Sequence, residues 1–225
     1  MNLSDIMTLE RTALLQEYLL PLGAAAINVP PYVAIPDFEV LKTTPSDLRL
    51  RFPITVEPLV GSKNGRSFVQ TCSRLNYKFL WTHVDNDNYR DDYLAYVRNH
   101  HHVMVDAIPQ NLHVDHLFSR ARAKNLQLSF VRMILLRDSI NTSHGAGYER
   151  ARTQGRIGTV GNQRGLDEIG LMKLCGVASP CKGSLLTPPI RAHLQAMSVL
   201  FGIPVSELEQ NVYELMDVAA FRPKP

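Results

Sequence analysis

Two short segments concentrate the side chains able to do chemistry. The first is His113-Val114-Asp115-His116. The second begins at Asn141, 25 residues after His116, and reads Asn141-Thr142-Ser143-His144-Gly145-Ala146-Gly147-Tyr148-Glu149. A hydrophobic run bearing Arg120, Arg122 and Arg132 joins them. The simplest chemical use of such a set is to hold one divalent cation and one general base against a phosphodiester. Asp115 offers a hard oxygen ligand to Mg²⁺ or Mn²⁺, and Asn141 offers a second, neutral oxygen. His116, with an ordinary pKa of about 6.5, takes a proton from water at neutral pH. Arg120, Arg122 or Arg132 can clamp a phosphate through paired N–H donors. The plainer use of the same residues is structural. Asp115 is a common turn residue, and His116 suits a satisfied interface position. Asn141 and Ser143 can cap a helix, with Gly145 and Gly147 easing the turn.

Asp-His, a gap of some two dozen residues, then Asn with a second polar residue nearby resembles the HNH group of the His-Me finger nucleases. The resemblance spans residues 110–153. It implies an α+β fold with a small ββα-metal-like core, two strands and a helix framing one metal, embedded in N-terminal strands and C-terminal helices. By position it implies Asp115 as the first metal ligand, His116 as the general base and Asn141 as the ligand from the helix. His144 and Arg120 would orient the phosphate, and Glu149 would anchor Arg120 or Arg122 or form a helix salt bridge. The implied activity is a divalent-metal-dependent endonuclease on DNA, with RNA as the alternative, serving bacterial defence or competition. In competition a tight acidic inhibitor or immunity protein would be the partner.

Other readings use the same residues. His113 and His116, three apart, with His144 or Asp115, suggest a zinc hydrolase. They lack the HExxH arrangement, and in a strand residues 113 and 116 face opposite ways. Cys72, Cys175 and Cys181 sit in no nucleophile setting, form no CxxC pair, and by their odd number argue against a disulfide framework. The consecutive His100-His101-His102 point in different directions and suit shared ligation of one ion poorly. The non-enzymatic alternative is a structural or assembly protein of a phage or multiprotein system, making chain-to-chain contacts through a proline-rich arm, a glycine-rich loop and a helical tail.

The elements that must position these residues follow from pattern and punctuation. The 225 residues, 45% hydrophobic and 20% charged, suit one large folded domain or a core with a smaller lobe. A net charge of +3 only slightly favours polyanions. Three regions are expected: a helix and proline-rich arm over 1–48, an α+β core with the candidate site over 49–165, and a helical region over 166–225. A helix is expected at 4–20, with Ser4 as its cap, then extended pieces at 32–35 and 38–41. Alternation predicts a strand at 49–59, with further strands at 67–72 and 77–84. From Tyr89 a helix runs into the three histidines, with Arg90, Asp91, Asp92 and Arg98 facing out. A brief strand enters the site at 112–114, 126–136 is strand or helix, a polar turn starts at 138 or 139, and a helix starts at 148.

Gly155 to Gly165 is neither a P-loop nor a GxGxxG motif and reads as a mildly basic loop. Helices are expected at 166–174, 190–201 and 206–218. The last carries Glu207, Glu209, Glu214 and Asp217 without a basic residue, which argues against reading a DNA groove. The first 18 residues lack a basic start followed by an apolar run, so no Sec signal peptide is expected. The apolar patch at 20–33 is broken by Pro21, Gly23, Asn28, Pro30 and Pro31, so no membrane span is expected. The corresponding location is cytoplasmic, or another cell reached without a Sec peptide.

Overall fold

Strands form where β-branched and aromatic residues alternate, and their two faces carry two apolar clusters. The computed structural model describes residues 1–19, 31–45, 54–63, 65–73, 76–145, 161–176, 188–201 and 204–210. The strands are β1 (Tyr32–Ile35), β2 (Ile54–Pro58), β3 (Ser67–Cys72), β4 (Tyr77–His83), β5 (Leu112–His116), β6 (Phe130–Arg137) and β7 (Arg164–Gly165). They make one seven-stranded sheet in the order β2-β3-β4-β6-β1-β7, with β5 also on β6. Every pairing is antiparallel. Phe79 and Trp81 of β4 and Ile134 and Leu136 of β6 enter one cluster. Leu80, Met133 and Leu135, their sequence neighbours, enter the other. That is the two-residue period of a sheet buried on both faces.

The helices are α1 (Leu3–Leu19), α2 (Phe38–Pro45), α3 (Tyr89–His101), α4 (Arg120–Asn125), α5 (Asp138–Gly145), α6 (Glu168–Leu174) and α7 (Pro188–Phe201). Residues 205–210 are also helical. The fold is therefore mixed α+β, an antiparallel sheet with flanking helices. β5 and β6 belong to this larger sheet, and the core is not confined to 49–165. β1 pairs with β6, and Ile6 and Leu14 of α1 are fully buried. No helix among the described residues is long and apolar enough to cross a membrane.

Several expectations change for identifiable reasons. Asn2, not Ser4, caps α1: its Oδ1 accepts from the Ser4 and Asp5 amides at 2.8 and 3.1 Å, and Asp5 Oδ2 accepts back from the Asn2 amide at 2.7 Å. The expected extended piece at 38–41 is the helix α2, because Asp37 Oδ1 accepts from the Val40 amide at 2.9 Å and so starts a turn. Asp92, expected to face out, is 1% exposed and accepts from Ser62, Ser67 and Asn86. Of the ambiguous 126–136 run, residues from Phe130 on lie in the strand β6 and Leu126 ends α4, and the polar turn expected at 138 is already the helix α5. The helix starts expected at 148, the glycine-rich loop through residue 160 and most of the last helix lie outside the described residues.

Candidate functional site

β5 extends two residues further than the expected 112–114 strand, so Asp115 and His116 lie within it, opposite Ile134 and Met133 of β6. Adjacent residues in a strand point to opposite faces of the sheet. Asp115 and His116 therefore diverge across the sheet instead of converging on one phosphate.

On the first face, Asp115 meets α6. Asp167 caps that helix by accepting from the Gly170 amide at 3.0 Å. Gly170 packs beside the end of β5, where a Cβ would lie 3.4 Å from the Leu117 carbonyl oxygen. That packing brings Lys173, three residues on, under β5. Its Nζ donates to Asp115 Oδ2 at 2.7 Å. The lysine side chain is 1% exposed and the aspartate side chain 17%. Asp167 also accepts from Arg122 Nη1 at 2.9 Å, tying α4 to α6, and the Arg122 guanidinium lies over the Phe118 ring. The carboxylate expected to bind a metal is thus already neutralised by an ammonium sealed beneath it.

On the second face, His116 packs edge-on against Tyr89 of α3, with ring centroids 4.7 Å apart. It is 6% exposed, and its Nε2 has no hydrogen-bond partner among the described residues. Burial, reinforced by the charges of Arg120, Lys173 and Arg90 and partly offset by Asp115, pushes its pKa down to about 4. This imidazole is neutral at pH 7. It is a weaker base than a free one, and solvent barely reaches it.

The remaining expected site residues are spread among other tasks. Arg120 pairs with Asp87 at 3.0 Å on the surface. Arg132, considered as a phosphate clamp, is fully buried and donates both terminal nitrogens to Glu17, at 2.7 and 3.1 Å. Its guanidinium also lies over the Phe79 and Trp81 rings, at 4.7 and 5.0 Å. Asn141 is half-buried inside α5, and His144, on the same helix, is fully buried. His113 Nδ1 lies 3.7 Å from Asp138 Oδ1, and its Nε2 lies 3.5 Å from Arg90 Nη2. Glu149 lies outside the described residues.

Among the described residues no group of three or more His, Cys, Asp or Glu side chains is placed to hold a metal ion. In this arrangement Asp115 and His116 do not converge on one divalent cation. A cation at Asp115 would have to displace a buried ammonium, and the neighbouring imidazole faces away. Compared with protein-family models, curated proteins and solved structures, the chain matches none of them.

Sequence reasoning missed Lys173 and Tyr89, the residues that decide the environments of Asp115 and His116. For Lys173 a signal exists. It is the one charge in Leu171-Met172-Lys173-Leu174-Cys175, and a lone lysine in an apolar run needs a buried partner. Nothing local marks Tyr89, which lies 27 residues before His116.

Proposed function

We propose that this chain is a non-enzymatic structural or assembly protein, whose polar centre fixes shape. The observation that carries this reading is the Lys173–Asp115 pair at 2.7 Å. In this reading the Asp115 carboxylate serves packing: its charge is taken up by a sealed ammonium that ties β5 to α6. Two further features suit chain-to-chain contact. Among the described residues β2 pairs with β3 alone, so it forms a sheet edge able to accept another strand. Val60, just beyond that edge, is 73% exposed, and Met104 and Val199 are 82% and 79% exposed.

A divalent-metal-dependent endonuclease is the second reading. It is supported by the succession of β5, β6 and α5, with α5 packed on both strands, and by the resemblance of Asp115-His116 and Asn141 to the HNH group. Light scattering on a sizing column, paired with nicking of supercoiled plasmid in Mg²⁺, Mn²⁺ or EDTA, separates the two. The assembly reading expects species heavier than the 25.3 kDa chain, reduced to that mass by Val60→Asp, and no nicking. Metal-dependent nicking that disappears in His116→Ala would overturn it in favour of the nuclease.

A further inference from the structure

A cavity of about 390 Å³ lies between α1, the start of β4 and the last turn of α3, away from β5. That size suits a small molecule, for which sites span roughly 300–1,000 Å³. Leu9 and Ala13 of α1 supply apolar wall, and Leu9 remains 43% exposed. Lys78 of β4, with His100 and His101 of α3 and the C-cap His102, supplies polar wall.

The charges in this cavity do not balance. The Lys78 ammonium donates to the His100 carbonyl oxygen at 3.2 Å, which holds it at the end of α3. It is half-buried, and among the described residues no carboxylate pairs with it. An ammonium carries three protons, so it keeps donors for a further partner. The histidines add no opposing charge. The Tyr96 hydroxyl donates to the Lys78 carbonyl oxygen at 2.8 Å, so His101 Nε2, 2.9 Å from that hydroxyl, is the donor to it. Burial and then the Lys78 charge push His101 down to about 4, and the same two causes lower His100 against the opposing charge of Glu57. Glu10 also lines the cavity, but its carboxyl is 2% exposed and accepts from the Tyr93 hydroxyl and the Leu135 amide at 2.9 and 3.1 Å. Burial raises it to about 8, so it is mostly neutral at pH 7. The Lys78 ammonium, with no carboxylate on it among the described residues, therefore faces the neutral His100 and His101 imidazoles and apolar walls. That combination selects a single negative charge on an apolar body.

We propose that this cavity binds a small organic monoanion, a carboxylate on an apolar body, with the carboxylate on Lys78 and the body against Leu9 and Ala13. Calorimetric titration of the full chain with benzoate tests it. Benzamide serves as the uncharged match, and inorganic phosphate as charge without an apolar body. The expected result is saturable one-to-one binding of benzoate, with benzamide and phosphate each weaker by about tenfold or more. Lys78→Met weakens benzoate by a similar factor. Thr12→Trp, which fills the cavity from the half-exposed Thr12 and leaves Lys78 in place, abolishes binding. Thermal unfolding checks that both variants are folded. Should Lys78→Met not fold, the benzamide comparison and Thr12→Trp decide. Failure of benzoate to saturate, equal affinity for benzamide, or undiminished binding by a folded Lys78→Met or Thr12→Trp would overturn the proposal.

Discussion

Two ion pairs hold α1 and α6 to the sheet, and they differ in how completely they are sealed. Arg132 and Glu17 are 0% and 3% exposed, joined at two points, and the guanidinium lies over two aromatic rings. Lys173 and Asp115 are joined at 2.7 Å, with the lysine sealed but the carboxylate 17% exposed. A fully sealed pair has only a structural outlet, because a charge left behind there meets no water. The second pair is sealed on the cationic side only, so removing its two members should have unequal effects. The same geometry that makes Asp115 look available from its sequence surroundings places its neutralising partner out of sight, 58 residues away.

The sharpest way to break the comparison is to strand the sealed cation. Glu17→Ala should lower the unfolding free energy by about 3–5 kcal/mol, because Arg132 would remain charged without water or partner. Urea unfolding measures this, and a loss below about 1 kcal/mol would mean that the pair is not sealed in solution.

Asp115→Ala strands Lys173 next to a site that already touches water. Its expected loss is smaller, about 2–3 kcal/mol. Lys173→Met should lose less than Asp115→Ala, since the carboxylate left behind is 17% exposed and can be hydrated. The double variant should recover most of the loss. A double-mutant cycle with no coupling between the two positions would remove the ion pair from the account.

His116 tests the opposite face of the same strand. Its folded pKa of about 4 lies below the ordinary value of 6.5, so the unfolded chain binds more protons between the two. Stability from this group is present above about 6.5 and is lost as pH falls towards 4, by up to about 3 kcal/mol. Glu10, raised to about 8 by burial, acts in the other direction, opposing stability as pH rises from its ordinary 4.5 through 8. The difference between wild type and His116→Phe isolates the histidine contribution. Phe retains the edge-on contact with Tyr89, so the variant should gain on wild type as the solution is acidified from pH 7 to 5. Parallel pH curves for the two proteins would show that His116 does not titrate as its burial requires.

The smallest effect belongs to the surface. Arg120→Lys changes an exposed pair with Asp87, whose side chains are 32% and 83% exposed. Its stability effect should be under about 0.5 kcal/mol. A larger change would point to a role for the planar guanidinium that this exposed ion pair does not require.

Local pattern was readable wherever one rule controlled it. β3 and β4 announced themselves by β-branched and aromatic alternation, and α3 by its apolar spacing after a polar turn. In α2 the apolar residues suggest extension, whereas Asp37, which starts the helix, is the stronger signal. Asp92 departs from its pattern because a carboxylate in a helix usually faces water. Here Ser62, Ser67 and Asn86 arrive from other segments to bond it.

At the candidate site, the residue types were legible but their directions were not. By itself the sequence determined an α+β chain, a strand entering at Leu112, and a concentration of ionisable groups around Asp115 and Asn141. Only the tertiary structure decided that β5 runs through His116, which sends Asp115 and His116 to opposite faces. It also decided that Lys173 closes one face and Tyr89 the other. The physical reason is range. Strand and helix periods act over a few residues, whereas neutralising a buried charge depends on which distant segment packs beneath it.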